Sequence, residues 1–282
     1  MSRLPLTNPR WTLARQVLLV AGAVVAYFGV RGLTEGAVDA ANRNAGRVLD
    51  LEHALGIAYE EAVQDAAAWS GALVTVGNWV YIWFHWPLIL GTLVWFAWSR
   101  RGDYLELRNA IFISGAIGLV IFAMFPVAPP RLFSPDYVDT VTQQSNSYRV
   151  LQPPAFTNKY AAVPSFHFGW NLLVGIAWFR AWRDRWWRWA GVVMPIAMAW
   201  AVVVTANHWI VDVAAGGVIA LVGLAVARAL RAARAVPEVQ RRRDGNDRRF
   251  PPQRIGVHVP DDDWADVRAS HDAALSEEVA RP

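Results

Sequence analysis

The stretch that decides how this chain is read is Ala161-Ala162-Val163-Pro164-Ser165-Phe166-His167-Phe168-Gly169-Trp170. A proline-rich, irregular segment ends here and an apolar run that reads as a membrane span begins, with an ionisable residue at the joint. Proline has no N–H to lose at the first helical position, and serine can satisfy a neighbouring backbone donor. Pro164-Ser165 therefore predicts a helix start. His167 then falls in the first turn, where unpaired N–H groups and the positive end of the helix dipole favour an anion such as phosphate.

Working outward, 55% of the 282 residues are hydrophobic and only 18% are charged, a balance that suits a bundle immersed in lipid. Six apolar runs predict an all-α, six-transmembrane-helix bundle: 17–30 (extendable to 34), 71–98, 109–124, 165–182, 189–205 and 208–227. The first reads as a retained signal-anchor helix, because no convincing small-residue cleavage site follows it. There is no cysteine, which excludes disulfides and thiolate chemistry. Of 27 basic residues only Lys159 is a lysine, and the arginines cluster beside spans. The basic balance therefore predicts a topological role and no nucleic-acid partner.

Arginine excess in the N-terminus, the 99–108 loop, the 180–188 turn and the flank Arg228, Arg231 and Arg234 orients the chain. Both termini are expected in the cytoplasm of a cell with an inner membrane. The acidic segment 35–70, the long loop 125–163 and the turn 205–208 then share the outer face. The apolar spacing Val38, Ala41, Ala45, Val48 and Leu49 predicts short amphipathic helices lying on the membrane there, broken near Gly56. The loop 125–163 reads as ordered and functional. Trp182, Trp186, Trp187 and Trp189 fit an inner interfacial belt, with Trp69, Trp170 and Trp209 marking the outer one. The expected organisation is an N-terminal segment and first span over 1–34, an outer amphipathic segment over 35–70, a membrane core over 71–230, and a disordered, charged cytoplasmic tail over 231–282.

Four ionisable residues stand at outer span ends: Arg131, His167, His208 and Asp212. His208 and Asp212, four apart, lie on one face of one helical turn. A carboxylate a turn inside a span costs on the order of 2.5–3.5 kcal/mol unless paired, which makes it a functional candidate. A carboxylate on one imidazole nitrogen leaves the other as a base or nucleophile. Arg131 offers a planar fork for two phosphate oxygens, and His167 a proton for a leaving oxygen. These are the parts for phosphoryl transfer through a phosphohistidine, without a metal or other cofactor. Ser165 and Asn207 stand beside the two histidines, and Lys159 and Tyr160 lie just upstream. Asn78, Tyr81 and His85 form a polar stripe in the second span that equally suits a hydrogen bond between helices.

Pro164-Ser165-Phe166-His167 and His208-Trp209-Ile210-Val211-Asp212, with Arg131 upstream, resemble the three signatures of the type-2 phosphatidic acid phosphatase superfamily. The wider pattern, Pro129-Pro130-Arg131 and then Asn158 to His167, is most similar to the branch of the inositol phosphorylceramide synthases and their bacterial relatives. The resemblance covers roughly 70–225. It implies that His208 is the nucleophile, Asp212 its orienting group, His167 the general acid and Arg131 a phosphate ligand. It also implies that the 78–85 stripe faces the substrate. The superfamily usually places a lysine seven residues before its arginine and a proline after it, where this chain has Met124 and Leu132. The serine and arginine expected before the nucleophile are Ala201 and Val202. Lys159 and Asn207 are the candidates for replacing the missing phosphate ligands, and Ser165 is a further phosphate-binding candidate.

The resulting expectation is a metal-independent membrane enzyme acting on a lipid phosphate or phosphoryl-headgroup lipid at the outer leaflet. Water as second acceptor makes a phosphatase and an alcohol makes a phosphotransferase; the sequence leaves that choice, the lipid and the oligomeric state open. The alternatives are a non-catalytic lipid-binding or transport-like bundle, a metal hydrolase using His85, His167, His208 and Asp212, and, least supported, a serine protease built on Ser165.

Overall fold

The structure, a computed structural model, describes residues 9–144 and 158–249. The chain separates into two compact units, Met1–Ala232 and Ala233–Pro282. Among the described residues the architecture is helical, with one isolated parallel bridge between Val127 and Ala161. In chain order the helices are α1 (Pro9–Thr34), α2 (Val38–Leu55), α3 (Glu60–Ala68), α4 (Gly71–Trp83), α5 (Trp86–Ser99) and α6 (Arg101–Met124). They continue with α7 (Pro130–Phe133), α8 (Thr140–Gln144), α9 (Phe166–Ala181), a 3-10 turn (Trp186–Trp189), α10 (Ala190–Val204) and α11 (Ile210–Arg249).

Among the described residues, three helical stretches are each long and apolar enough to cross a membrane: Arg101–Met124, Trp186–Val204 and Ile210–Ala233. Two bent pairs meet the same criterion together, Leu18–Thr34 with Val38–Leu55 at 93° and Gly71–Trp83 with Trp86–Ser99 at 41°. That makes up to five crossings where sequence reading expects six. The difference lies largely in α9, whose 16 residues span only about 24 Å at 1.5 Å per residue. The second run, expected as one helix, is broken at His85, whose backbone is non-helical. Pro87, in the first turn of α5, has no N–H for the preceding turn and closes off a straight helix. Asn171 of α9 donates to the Phe84 carbonyl that the break leaves free.

The apolar stripe of α2 is turned toward the protein. Ala41, Ala45 and Val48 are buried with Val127, Ala128, Ala162 and Trp209 in one cluster, and Asn44 donates to the Pro126 carbonyl (2.9 Å). Gly56 closes α2 at φ 67°, the left-handed geometry glycine adopts without strain, and its N–H returns to Glu52 and His53. Trp209, expected at the outer interface, is wholly buried, and its indole N–H donates to Ala128 O (2.9 Å). Trp69 does stand free, at 93% exposed. Pro164 precedes the helix start, and Ser165 is the cap, accepting from Phe168 N. Of the expected ordered loop, residues 145–157 lie outside the described residues. Val127 N–H donates to Tyr160 O (2.9 Å) and joins the loop's two ends.

The expected disordered tail differs over 236–249, where the helix continues to Arg249. Extending an existing helix avoids the unfavourable nucleation step. Residues 250–282 lie outside the described residues. At the opposite end from the Ser165 cap, Glu106 of α6 gathers Arg180 (2.5 Å), Arg228 (2.9 Å) and Arg231 (3.6 Å).

Close helix crossings hold this arrangement. A Cβ on Gly175 would run into the Gly191 carbonyl and Pro195, and one on Gly216 into the Ser165 backbone. The α9 backbone is thereby in direct contact with both α10 and α11, the small-residue packing that membrane bundles favour. Gly175→Ala is expected to cost about 1–3 kcal/mol through overpacking and to lower the melting temperature by at least a few degrees. Gly91→Ala, with nothing within 4 Å of the added Cβ, is expected to leave it unchanged or slightly raised. Melting of the detergent-solubilised variants checks both.

Candidate active site

A tight reversal between α10 and α11 presents His208. Thr205 Oγ1 bonds back to Ala201 O (2.8 Å), and Asn207 Nδ2 donates to Thr205 O and Oγ1 (both 3.0 Å). The N–H groups of Asn207 and His208 both reach Val202 O, at 3.1 and 3.2 Å. Ala206, between Thr205 and Asn207, has φ 53°, a left-handed conformation uncommon outside glycine. Its carbonyl is held by Arg131 N–H (3.1 Å). The surrounding bonds thus over-determine a strained residue next to the candidate nucleophile.

His208 Nδ1 lies 2.8 Å from Ala162 O and 3.5 Å from Asp212 Oδ2. A carbonyl only accepts, so Nδ1 carries the hydrogen and Nε2 carries the lone pair. That lone pair faces His167 Nδ1 at 3.4 Å. Asp212, fully buried, is itself held by Trp209 N–H to Oδ2 (2.8 Å), and its backbone carbonyl accepts Ser165 N–H (3.0 Å). The cap of α9 and the first turn of α11 are therefore bonded directly, which brings the two histidines together.

His167 stacks on Tyr81 (centroids 4.3 Å apart, 17°) and lies 4.0 Å from the His85 ring, which in turn is parallel to Trp170. The break between α4 and α5 is what carries His85 into this group. His167 Nε2 and His85 Nδ1 are both buried without a hydrogen-bond partner among the described residues. Arg131 lies within electrostatic range of His167 but is paired with Asp139 (Nε to Oδ2, 3.2 Å).

Other expected residues have different work. Asn78 exchanges bonds with Thr140, donating to its carbonyl (3.1 Å) and accepting from its hydroxyl (2.9 Å), so it ties α4 to α8. Asn207 braces the turn, Ser165 caps α9, Tyr160 packs against the cluster that holds Trp209, and Lys159 is exposed. Ala201 and Val202 sit inside an apolar cluster with Tyr81, Ile82 and Met198, where a cation would be buried without a partner. The four residues of the metal-hydrolase alternative do not form a ligand set: among the described residues no three His, Asp or Glu side chains are placed to share a metal ion.

A family model of the PAP2 superfamily matches residues 46–226, well over half the chain. The chain belongs to the PAP2 superfamily. Members of this superfamily are generally phosphoesterases, and with several helices apolar enough to cross a membrane this PAP2 chain fits a membrane phosphatase-type protein. No curated protein and no solved structure matches it.

The matched region begins inside α2, and there the structure places groups that sequence reasoning missed. Glu60 Oε1 accepts Ile210 N–H (2.8 Å) and Glu52 Oε1 accepts Val211 N–H (2.7 Å). Both glutamates belong to the acidic segment 35–70, yet they are 2% and 0% exposed. Only their position opposite an N-terminal helical turn explains this, and no local pattern signals it. The Ala162 carbonyl was invisible for the same reason, because a backbone acceptor carries no side-chain signature.

Burial, with Glu60 and Asp212 alongside, pushes the Glu52 carboxyl from 4.5 up to about 8 despite the Val211 N–H. The folded protein therefore holds a proton that the unfolded chain releases. The stability this contributes is complete below about pH 4.5 and is lost as pH rises through about 8. The melting temperature is expected to fall between pH 5 and about 8.5, with a shallower slope in Glu52→Gln; equal slopes in the two proteins count against the assignment.

Proposed function

We propose that the protein is a six-span membrane enzyme that transfers phosphate, or a phosphoryl-linked headgroup, from a lipid at the outer leaflet through a phosphohistidine. The crossings are α1, the bent α4–α5 pair, α6, α9, α10 and α11, with both termini in the cytoplasm. The observation that carries the reading is the His208 ring: hydrogen fixed at Nδ1, lone pair at Nε2, and a second imidazole 3.4 Å beyond it.

His208 Nε2 attacks phosphorus and forms an N–P bond as the P–O bond to the lipid breaks. The departing oxygen takes a proton from His167. Phosphorylation leaves the His208 ring positively charged, and Asp212 behind Nδ1 stabilises that charge. In the second half, His167 takes a proton from water or an alcohol, the oxygen attacks phosphorus, and His208 is released. Arg131 leaves Asp139 for the phosphate oxygens, because a dianion offers its fork two acceptors. The inositol phosphorylceramide synthase-like pattern supports an alcohol as the second acceptor, though water completes the same chemistry.

One observation favours a non-catalytic lipid-binding protein: Arg131 is already neutralised, and the positions of two further cations hold Met124 and Val202. The two readings separate on incubating purified protein with labelled lipid phosphates, with and without alcohols, in chelator. Free phosphate or a new lipid product marks the enzyme; a folded protein without product marks the binding protein. His208→Ala is expected to lower kcat by about 10⁴-fold or more, and His167→Ala by about 10²–10⁴-fold. The acid-labile phosphoenzyme is expected to vanish in His208→Ala alone. Asp139→Asn, which frees Arg131, is expected to lower KM about threefold or more with little change in kcat.

A further inference from the structure

Four N–H groups at the start of a helix have no partner within it. In α11 these groups meet an unusual set of acceptors. Trp209 N–H is taken by Asp212 Oδ2, Ile210 N–H by Glu60 Oε1 and Val211 N–H by Glu52 Oε1, all within 2.7–2.8 Å. Two of these three carboxylates come from helices about 150 residues away in the chain. Both are buried, and among the described residues neither glutamate forms an ion pair with a basic side chain. What offsets their burial is the helix end itself, with its N–H groups and its positive dipole.

The second Glu52 oxygen, Oε2, is buried without a donor. Beside it stands the Glu60 carboxyl, from α3, and beyond that Asp212, from α11, which faces His208. Tyr137, from the segment between α7 and α8, completes the surroundings; burial and the charges of Glu60, Glu61 and Glu52 push its hydroxyl up to about 12, so it stays uncharged. Two facing carboxylates with no cation between them repel unless one carries a proton. A proton on Glu52 Oε2 gives the orphaned oxygen a partner and turns the repulsion into a hydrogen bond to Glu60.

We propose that Glu52 and Glu60 are positioning residues for the reaction at His208: they share one proton and use their remaining oxygens to clamp the first turn of α11. This rests on the phosphohistidine reading above. The clamped N–H groups immediately precede Asp212, the residue that faces the His208 Nδ1–H, and adjoin the strained turn at Ala206. With the clamp gone the turn frays, Asp212 leaves the ring and Nε2 loses its aim at phosphorus. A geometric error at that point lowers kcat more than substrate affinity. The upward shift of the Glu52 carboxyl to about 8 adds a consequence. Above that pH the shared proton is lost, two negative charges face each other and the clamp loosens.

Glutamine separates hydrogen bonding from charge. In Glu52→Gln the amide oxygen accepts Val211 N–H while the amide N–H₂ donates to Glu60, reproducing the protonated pair at every pH. Glu52→Ala and Glu60→Ala remove an acceptor outright. The experiment measures hydrogen exchange of peptides covering residues 205–214 without substrate, and steady-state turnover from pH 6 to 9.5, for the full-length protein and the four single Ala and Gln variants. In the alanine variants exchange at 210–211 is expected to rise about tenfold or more, and kcat to fall about a hundredfold with KM within about threefold. Glutamine is expected to restore slow exchange and most of the turnover. The wild-type rate is expected to decline above about pH 8, and Glu52→Gln to lack that decline.

Wild-type exchange and turnover in the alanine variants overturns the proposal, as does glutamine behaving like alanine. Should the alanine variants fail to fold, identical alkaline profiles for wild type and Glu52→Gln overturn it. Absence of turnover in the wild type itself refutes the phosphohistidine reading, while exchange still decides the clamp.

Discussion

Everything about this site depends on how closely the backbone of α11 approaches the cap of α9. Gly216 has no side chain, so α11 lies directly against the Ser165 carbonyl. Ser165 N–H can then bond to the Asp212 carbonyl, and the two imidazoles meet. Gly175 and Gly191 repeat the device between α9 and α10, which carries the reversal leading to His208. In lipid, where apolar surfaces gain little by meeting each other, such close approach is a main source of helix association. The glycines therefore set the stability of the bundle and the spacing of its reactive groups together.

Polar groups inside the bundle are satisfied by elements that break regularity. The α4–α5 helix gives up its ladder at His85, and the freed Phe84 carbonyl finds Asn171. The same break turns His85 toward His167. Beside the His208 turn, Gln64 of α3 donates to both the Val138 and Val204 carbonyls (2.9 Å each), and Asn44 of α2 donates to the Pro126 carbonyl. The segment of α2 and α3 thus ties the loop, the reversal and the start of α11 together.

Much of the site was legible because its chemistry is local. His208 and Asp212 are one helical turn apart, which periodicity relates, and Pro164-Ser165 just before His167 is a local helix-start signal. Elsewhere periodicity misled. The stripe Ala41, Ala45 and Val48 is apolar whether it meets lipid or protein, and only packing on Trp209 distinguishes them. Asn207 and Ser165, expected from the resemblance and their position to bind phosphate, also bond their own backbone neighbourhood, as short polar side chains beside turns and caps commonly do.

The sequence by itself determined a helical chain of the PAP2 superfamily with stretches apolar enough to cross a membrane, and it singled out Arg131, His167, His208 and Asp212 as candidates. These follow from apolar run length, charge placement and spacings within one turn. The tertiary structure alone decided which atoms meet: the Ala162 carbonyl on His208, Asp139 on Arg131, and Glu52 and Glu60 on the start of α11. Those contacts join residues up to about 160 positions apart. No local pattern encodes them, because a buried carboxylate and an exposed one have the same sequence until the helix end that stabilises it is in place.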